Sequence, residues 1–126
     1  MKAKELMIGN YVKDHLGRVQ KVSETRSKAY ICYLSNDHKL KYKLNTTKPI
    51  PLTEEWLVEF GFEKNCNNNY QINYNQVCGL SITILNYKSW LCNLTSTTFY
   101  ELSNCKYVHQ LQNLYFALTN EELTIK

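Results

Sequence analysis

Lys39, Lys41 and Lys43 stand at every second position of Lys39-Leu40-Lys41-Tyr42-Lys43-Leu44. On an extended strand this spacing sets three ammonium groups about 6.8 Å apart on one face, with Leu40, Tyr42 and Leu44 on the other. Cations at that interval suit the phosphates of a nucleic-acid backbone, whose neutralisation releases condensed counterions. Arg18, Lys21, Arg26 and Lys28 on neighbouring strands would extend the row into one basic sheet surface, where Tyr30 or Tyr33 could stack a base. Lysines on a strand also keep an exposed sheet edge from pairing with another chain. The pattern leaves both roles open.

Other reactive residue types lack the company their chemistry needs. Four glycines form neither GxGxxG nor GxxxxGK[ST], so no phosphate cradle is encoded, and HExxH and GxSxG are absent. Cys105 and His109 are four residues apart, but neither a thiol–imidazole pair nor half a zinc site finds further partners at suitable spacing. Glu54, Glu55, Glu59 and Glu63 read as the solvated face of a short helix rather than as paired acids. Trp56 and Trp90 suit core anchoring before stacking. His109, Gln110, Gln112 and Asn113 give a C-terminal helix an amide-rich face that could read base edges or peptide groups. With Trp56, Phe60 and Phe62 they form the alternative site, a protein–protein interface without nucleic acid.

The elements that must position these residues follow from periodicity. Residues 10–45 read as a meander of four short strands, a small curled antiparallel sheet of SH3-like size, with a turn at Asp14-His15-Leu16-Gly17. Val19 and Val22 differ in parity, so a bulge or a short strand is expected between them. Pro49 and Pro51 impose an extended connector. Thr53 is a helix N-cap candidate; Gly61 ends that helix, and Phe62 packs back in a Schellman-type termination. Tyr70, Ile72 and Tyr74, then Leu80, Ile82 and Ile84, alternate as strands of a second antiparallel sheet, continued by Trp90 to Leu94 and Thr97 to Leu102. Residues 104–118 read as a helix with Val108, Leu111, Leu114, Tyr115 and Leu118 inward, and Thr119-Asn120-Glu121-Glu122 as a capping box. The expected fold is a single α+β domain, 1–126, with a basic β-meander over 1–48 and the remaining elements over 49–126.

Its 126 residues suffice for one domain with a core that needs no disulfide or metal. The N-terminus lacks a signal-peptide core and the longest apolar run, Ala29 to Leu34, is far too short to span a bilayer, so a cytoplasmic protein without membrane contact is expected. Five cysteines at wide spacing read as reduced thiols. The net charge of +4 is unevenly placed: residues 1–50 carry 11 Lys and Arg against 4 Asp and Glu, and residues 51–126 carry 4 against 7. That asymmetry points toward a polyanionic partner.

Two segments, Ile50-Pro51-Leu52-Thr53-Glu54-Glu55-Trp56-Leu57 with Phe60-Gly61-Phe62, and Tyr107-Val108-His109-Gln110-Leu111-Gln112-Asn113-Leu114-Tyr115-Phe116-Ala117-Leu118-Thr119 followed by Glu121-Glu122-Leu123, resemble a family of small uncharacterised proteins of bacteria, prophages and phages. So does the opening around Ile8-Gly9-Asn10. The resemblance covers about a third of the chain, leaves residues 64–104 unmatched, and implies a mobile-element context without a catalytic residue. Together these readings predict a non-catalytic binding module that takes no cofactor and no metal. It would engage RNA or a host nucleoprotein through its basic face, in one form as an inhibitor of a host RNA-guided defence nuclease.

Overall fold

The computed structural model describes residues 6–14, 16–25, 30–35, 38–43, 47–65, 69–95 and 98–125; between residues 24 and 43 it describes backbone pairing and not side chains. The fold is α+β, with two antiparallel sheets and two helices. In chain order these are β1 (Tyr11–Lys13), β2 (Val19–Thr25), β3 (Tyr30–Ser35), β4 (His38–Lys43), α1 (Glu54–Glu59), β5 (Glu63–Lys64), β6 (Asn69–Asn73), β7 (Cys78–Thr83), β8 (Lys88–Asn93), β9 (Thr98–Glu101) and α2 (Val108–Thr119). The chain divides into two compact units: residues up to Pro51 with Tyr107–Leu114, and Leu52–Lys106 with the residues from Tyr115 onward.

The first unit is a meander in the order β1-β2-β3-β4, each strand paired with its successor. Gly17, at φ +79°, makes the turn into β2, a conformation glycine adopts without steric cost. The register pairs Tyr11 with Lys21, Val12 with Gln20 and Lys13 with Val19, so Val12 and Val22 fall on the buried side. Val19 falls on the opposite side and is 48% exposed. No bulge separates Val19 from Val22, which simply lie on opposite faces of one regular stretch of strand; the register shift comes later, between Val22 and Glu24. Beyond β4 the chain returns to the outer edge of β1, where Lys13 and Lys48 exchange backbone hydrogen bonds of 2.9 Å each way. Pro49 and Pro51 keep the next residues extended, and Val108 N–H donates to the Ile50 carbonyl.

In the second unit Thr53 occupies the N-cap of α1 with extended backbone but caps through no side-chain hydrogen bond. The C-terminus follows the expected Schellman pattern. Phe62 N–H donates to the Leu57 carbonyl at 2.9 Å and Gly61 N–H to Val58 at 3.0 Å, with Gly61 at φ +95°. Glu63, read from sequence as part of the helix face, lies in β5. The sheet runs β5-β6-β7-β8-β9, and cross-strand pairing divides its residues into two faces. Tyr70, Leu80, Ile82 and Ser89 form the buried face. The Tyr70 hydroxyl donates to the Glu54 carboxylate, which together with burial pushes its pKa up to about 12. Ile84 belongs to the β7–β8 turn, which closes with Tyr87 at φ +58°.

Helix α2 begins later than periodicity suggested, at Val108, because the backbone N–H groups of Leu102 and Cys105 are engaged by the Ser89 and Tyr87 carbonyls. Cys105 is therefore outside the helix that carries His109. The buried stripe of α2 is Val108, His109, Leu111, Gln112 and Tyr115, whereas Leu114 and Leu118 are half-buried. Thr119-Asn120-Glu121-Glu122 ends α2 rather than opening a new turn. Asn120 takes φ +59°, and Thr119 Oγ1 accepts from Glu121 N–H while donating to the Tyr115 carbonyl. Among the described residues no helix is long and apolar enough to cross a membrane.

Candidate nucleic-acid interface

The outer face of the first unit is assembled by parity. Val12 is completely buried, so its neighbours Tyr11 and Lys13 project from the other side of β1. Directly paired residues share a face, which places Lys21 beside Tyr11, and both Val19 and Lys48 beside Lys13. Lys21 Nζ stands 5.9 Å from the centroid of the Tyr11 ring, a cation–π approach. Lys13 and Lys48 form a narrow, mutually hydrogen-bonded pair whose side chains share one side of the sheet, a like-charge arrangement that costs stability. Among the described residues no carboxylate forms an ion pair with Lys13, Lys21 or Lys48. The face thus joins three ammonium groups, a tyrosine ring and an exposed valine.

Two polar networks hold this face in place. Asp14, whose side chain is fully buried, accepts from Leu16 N–H, Arg18 N–H, Arg18 Nε and Gln20 Nε2 at 2.9–3.0 Å. Burial opposes its charge, but the Arg18 amide, the Gln20 and Arg18 side chains and the Leu16 amide outweigh burial and hold the carboxyl at about 2. The second network clamps the entry to β1. Gln112 Nε2 donates to the Gly9 carbonyl at 3.0 Å and Gln112 Oε1 accepts from Tyr11 N–H at 2.8 Å, so one side-chain amide acts as a neighbouring peptide group would. Asn10 Nδ2 donates to Asn113 Oδ1 at 2.9 Å, while Asn10 Oδ1 accepts from Met7 N–H.

The sequence-predicted residues are dispersed among several roles. Lys21 belongs to the face. Arg18 donates its Nε to Asp14 and keeps its side chain 55% exposed. Arg26 and Lys28 lie outside the described residues. Lys39, Lys41 and Lys43 are paired in register with Leu34, Cys32 and Tyr30, and Tyr33 with Leu40 and Val22; their side chains lie outside the description. Sequence reasoning missed Tyr11, Lys13 and Lys48. The alternation Tyr11-Val12-Lys13 carried the signal for two of them, but Lys48 is brought there by the chain's return past β4.

The alternative interface is corrected at four positions. Phe60 and Phe62 are core, 0% and 3% exposed, because the Schellman turn folds them inward. His109 and Gln112 are 1% and 5% exposed; His109 stacks on Tyr107 with ring centroids 6.0 Å apart, and Gln112 clamps β1. Trp56, Gln110 and Asn113 are half-buried, with the Trp56 ring 5.5 Å from Phe60 and Gln110 Oε1 accepting from Tyr107 N–H. Comparison of the chain with protein-family models, with curated proteins and with solved structures gives no match.

Proposed function

We propose that the protein is a non-catalytic module that binds RNA, bare or within a nucleoprotein, through the outer face of β1, β2 and Lys48. The observation that supports this most directly is the facing pair Lys13 and Lys48, with Lys21 on the same face and no described carboxylate paired to any of them. A fold that keeps like charges directly opposed loses stability, and a phosphate between them recovers it. Tyr11 supplies a ring beside these cations for a base, as aromatic residues do on single-strand-binding sheets. Lys39, Lys41 and Lys43 on β4 would lengthen the same electrostatic path. A host RNA-guided defence nuclease, the partner suggested by the resemblance, carries its guide as a ligand of this chemistry.

The test is fluorescence anisotropy of labelled oligouridylate against the protein over a range of salt. Changing Lys13, Lys21 and Lys48 together to Gln should weaken binding at least about tenfold and flatten the log–log salt slope by about 2. The triple change of Lys39, Lys41 and Lys43 to Gln, measured alongside, reports the contribution of β4. An unchanged slope in the first triple variant would remove the reading.

A further inference from the structure

A second surface, in the other compact unit, carries a different chemistry. The side of the β5–β9 sheet opposite Tyr70, Leu80 and Ile82 is organised in registered rows, in which Gly79, Ser81 and Cys92 are buried between residues that reach solvent. One row crosses Glu63, Gln71, Ser81, Trp90 and Glu101; the next crosses Asn73, Gly79, Cys92 and Phe99. At the β5–β6 end the side-chain amides form a ladder: Asn65 Nδ2 donates to Gln71 Oε1 at 3.1 Å, and Gln71 Nε2 donates to Asn73 Oδ1 at 2.7 Å. Gly79 is the condition for this arrangement. A Cβ there would lie 2.6 Å from Asn73 Oδ1, 3.1 Å from the Ile72 carbonyl and 3.4 Å from Gln71 Nε2. The ladder borders a polar cavity of about 280 Å³ that Glu63 and Gly61 also line. Farther along the face Trp90 is half-buried and Phe99 is 60% exposed.

We infer that this face binds a neutral oligosaccharide. Its described charges argue against a polyanion: Lys88 is paired with Glu101 at 3.3 Å, and Glu63 adds a further carboxylate. Sugar hydroxyls both donate and accept, which matches a surface presenting carboxylate acceptors beside amides that keep spare N–H groups. The weakly positive C–H face of a pyranose lies well on the π-face of an indole or phenyl ring. Successive strands are about 4.8 Å apart, close to the advance of one ring along an extended glycan, so a chain crossing the strands meets the amide ladder and Trp90 in turn. The cavity is slightly below the range of about 300–1,000 Å³ that holds drug-sized ligands, which fits one sugar ring with the remainder along the open sheet.

The test uses the full chain carrying Trp56→Phe, so that emission reports Trp90, titrated with cellohexaose and with maltohexaose. A saturable change with at least one of them is expected. It should weaken about tenfold in Gln71→Ala/Asn73→Ala, and about as much in Gly79→Ala, each checked for an unchanged far-ultraviolet circular dichroism spectrum. Should Trp56→Phe fail to fold, the wild-type chain is followed instead through the side-chain amide resonances of Gln71 and Asn73. The inference is overturned by no saturable response to either sugar, by a response that survives the double variant, or by competition from oligouridylate. Because Lys13, Lys21 and Lys48 take no part here, the RNA reading and this one fail separately.

Discussion

Asp14 and Gln112 show how single polar side chains, buried and fully engaged, place the cations of the first unit. Asp14 closes the β1–β2 turn with four donors, and its folded carboxyl at about 2 lies below the ordinary 3.8. A depressed acid stabilises the fold above its unfolded pKa and ceases to do so as pH falls through the folded value. Asp14→Asn should therefore cost about 1–2 kcal/mol at neutral pH, with the half-exposed Arg18 charge discounted for water screening. Denaturant titrations of wild type and variant should converge between pH 4 and 2. Gln112→Ala leaves the Gly9 carbonyl and Tyr11 N–H without that side-chain partner in a buried place and should cost about 1–3 kcal/mol. Amide exchange at Tyr11 should accelerate with it. From sequence, the amides of α2 looked like a surface for base edges. Helical phase sets Gln112 on the stripe of Val108, Leu111 and Tyr115; what local pattern could not reveal is that its amide is satisfied there, because its partners lie about a hundred positions away.

At the level of elements, local chemistry and local structure agree where glycine stereochemistry decides the interaction. The α1 termination is such a case, since Gly61 needs positive φ and Phe62 returns to Leu57 within one turn. Gly61→Ala should cost about 1 kcal/mol, read as a lower thermal midpoint. The Tyr70–Glu54 bond ties β6 to α1. A raised tyrosine pKa means this contribution holds below pH 10 and is lost as pH rises toward 12. Tyr70→Phe should reduce by one tyrosine the late part of the tyrosinate absorbance titration, which Tyr74 and Tyr115 also enter because burial raises them, and lower stability near neutrality. Elements were misread where a longer-range partner overrode periodicity. Residues 104–106 read as helix from sequence, yet Cys105 N–H donates to Tyr87 and the Lys106 carbonyl accepts from Leu52, and they stay outside it. Glu63 looked like another turn of α1 because its strand partner, Gln71, is supplied by β6.

For the whole molecule, uneven charge becomes a trade between stability and binding. Lys48→Glu sets opposite charges across the Lys13 pair and should stabilise the fold by about 0.5 kcal/mol while weakening oligouridylate binding. Chemical denaturation and anisotropy on the same samples check both signs; a variant that is more stable and binds equally well would separate the pair from function. The linear chain by itself determined the α+β class, the meander of the first sheet, the proline connector and the basic bias of the first fifty residues, since each follows from nearest-neighbour sterics, period-two or helical patterning, or composition. Tertiary structure alone decided which cations share a face, which amides turn inward, and that Gly79 makes room for an amide ladder. Those outcomes depend on cross-strand register and on the return of residue 48 to β1, and register is set by packing between segments that local pattern cannot align.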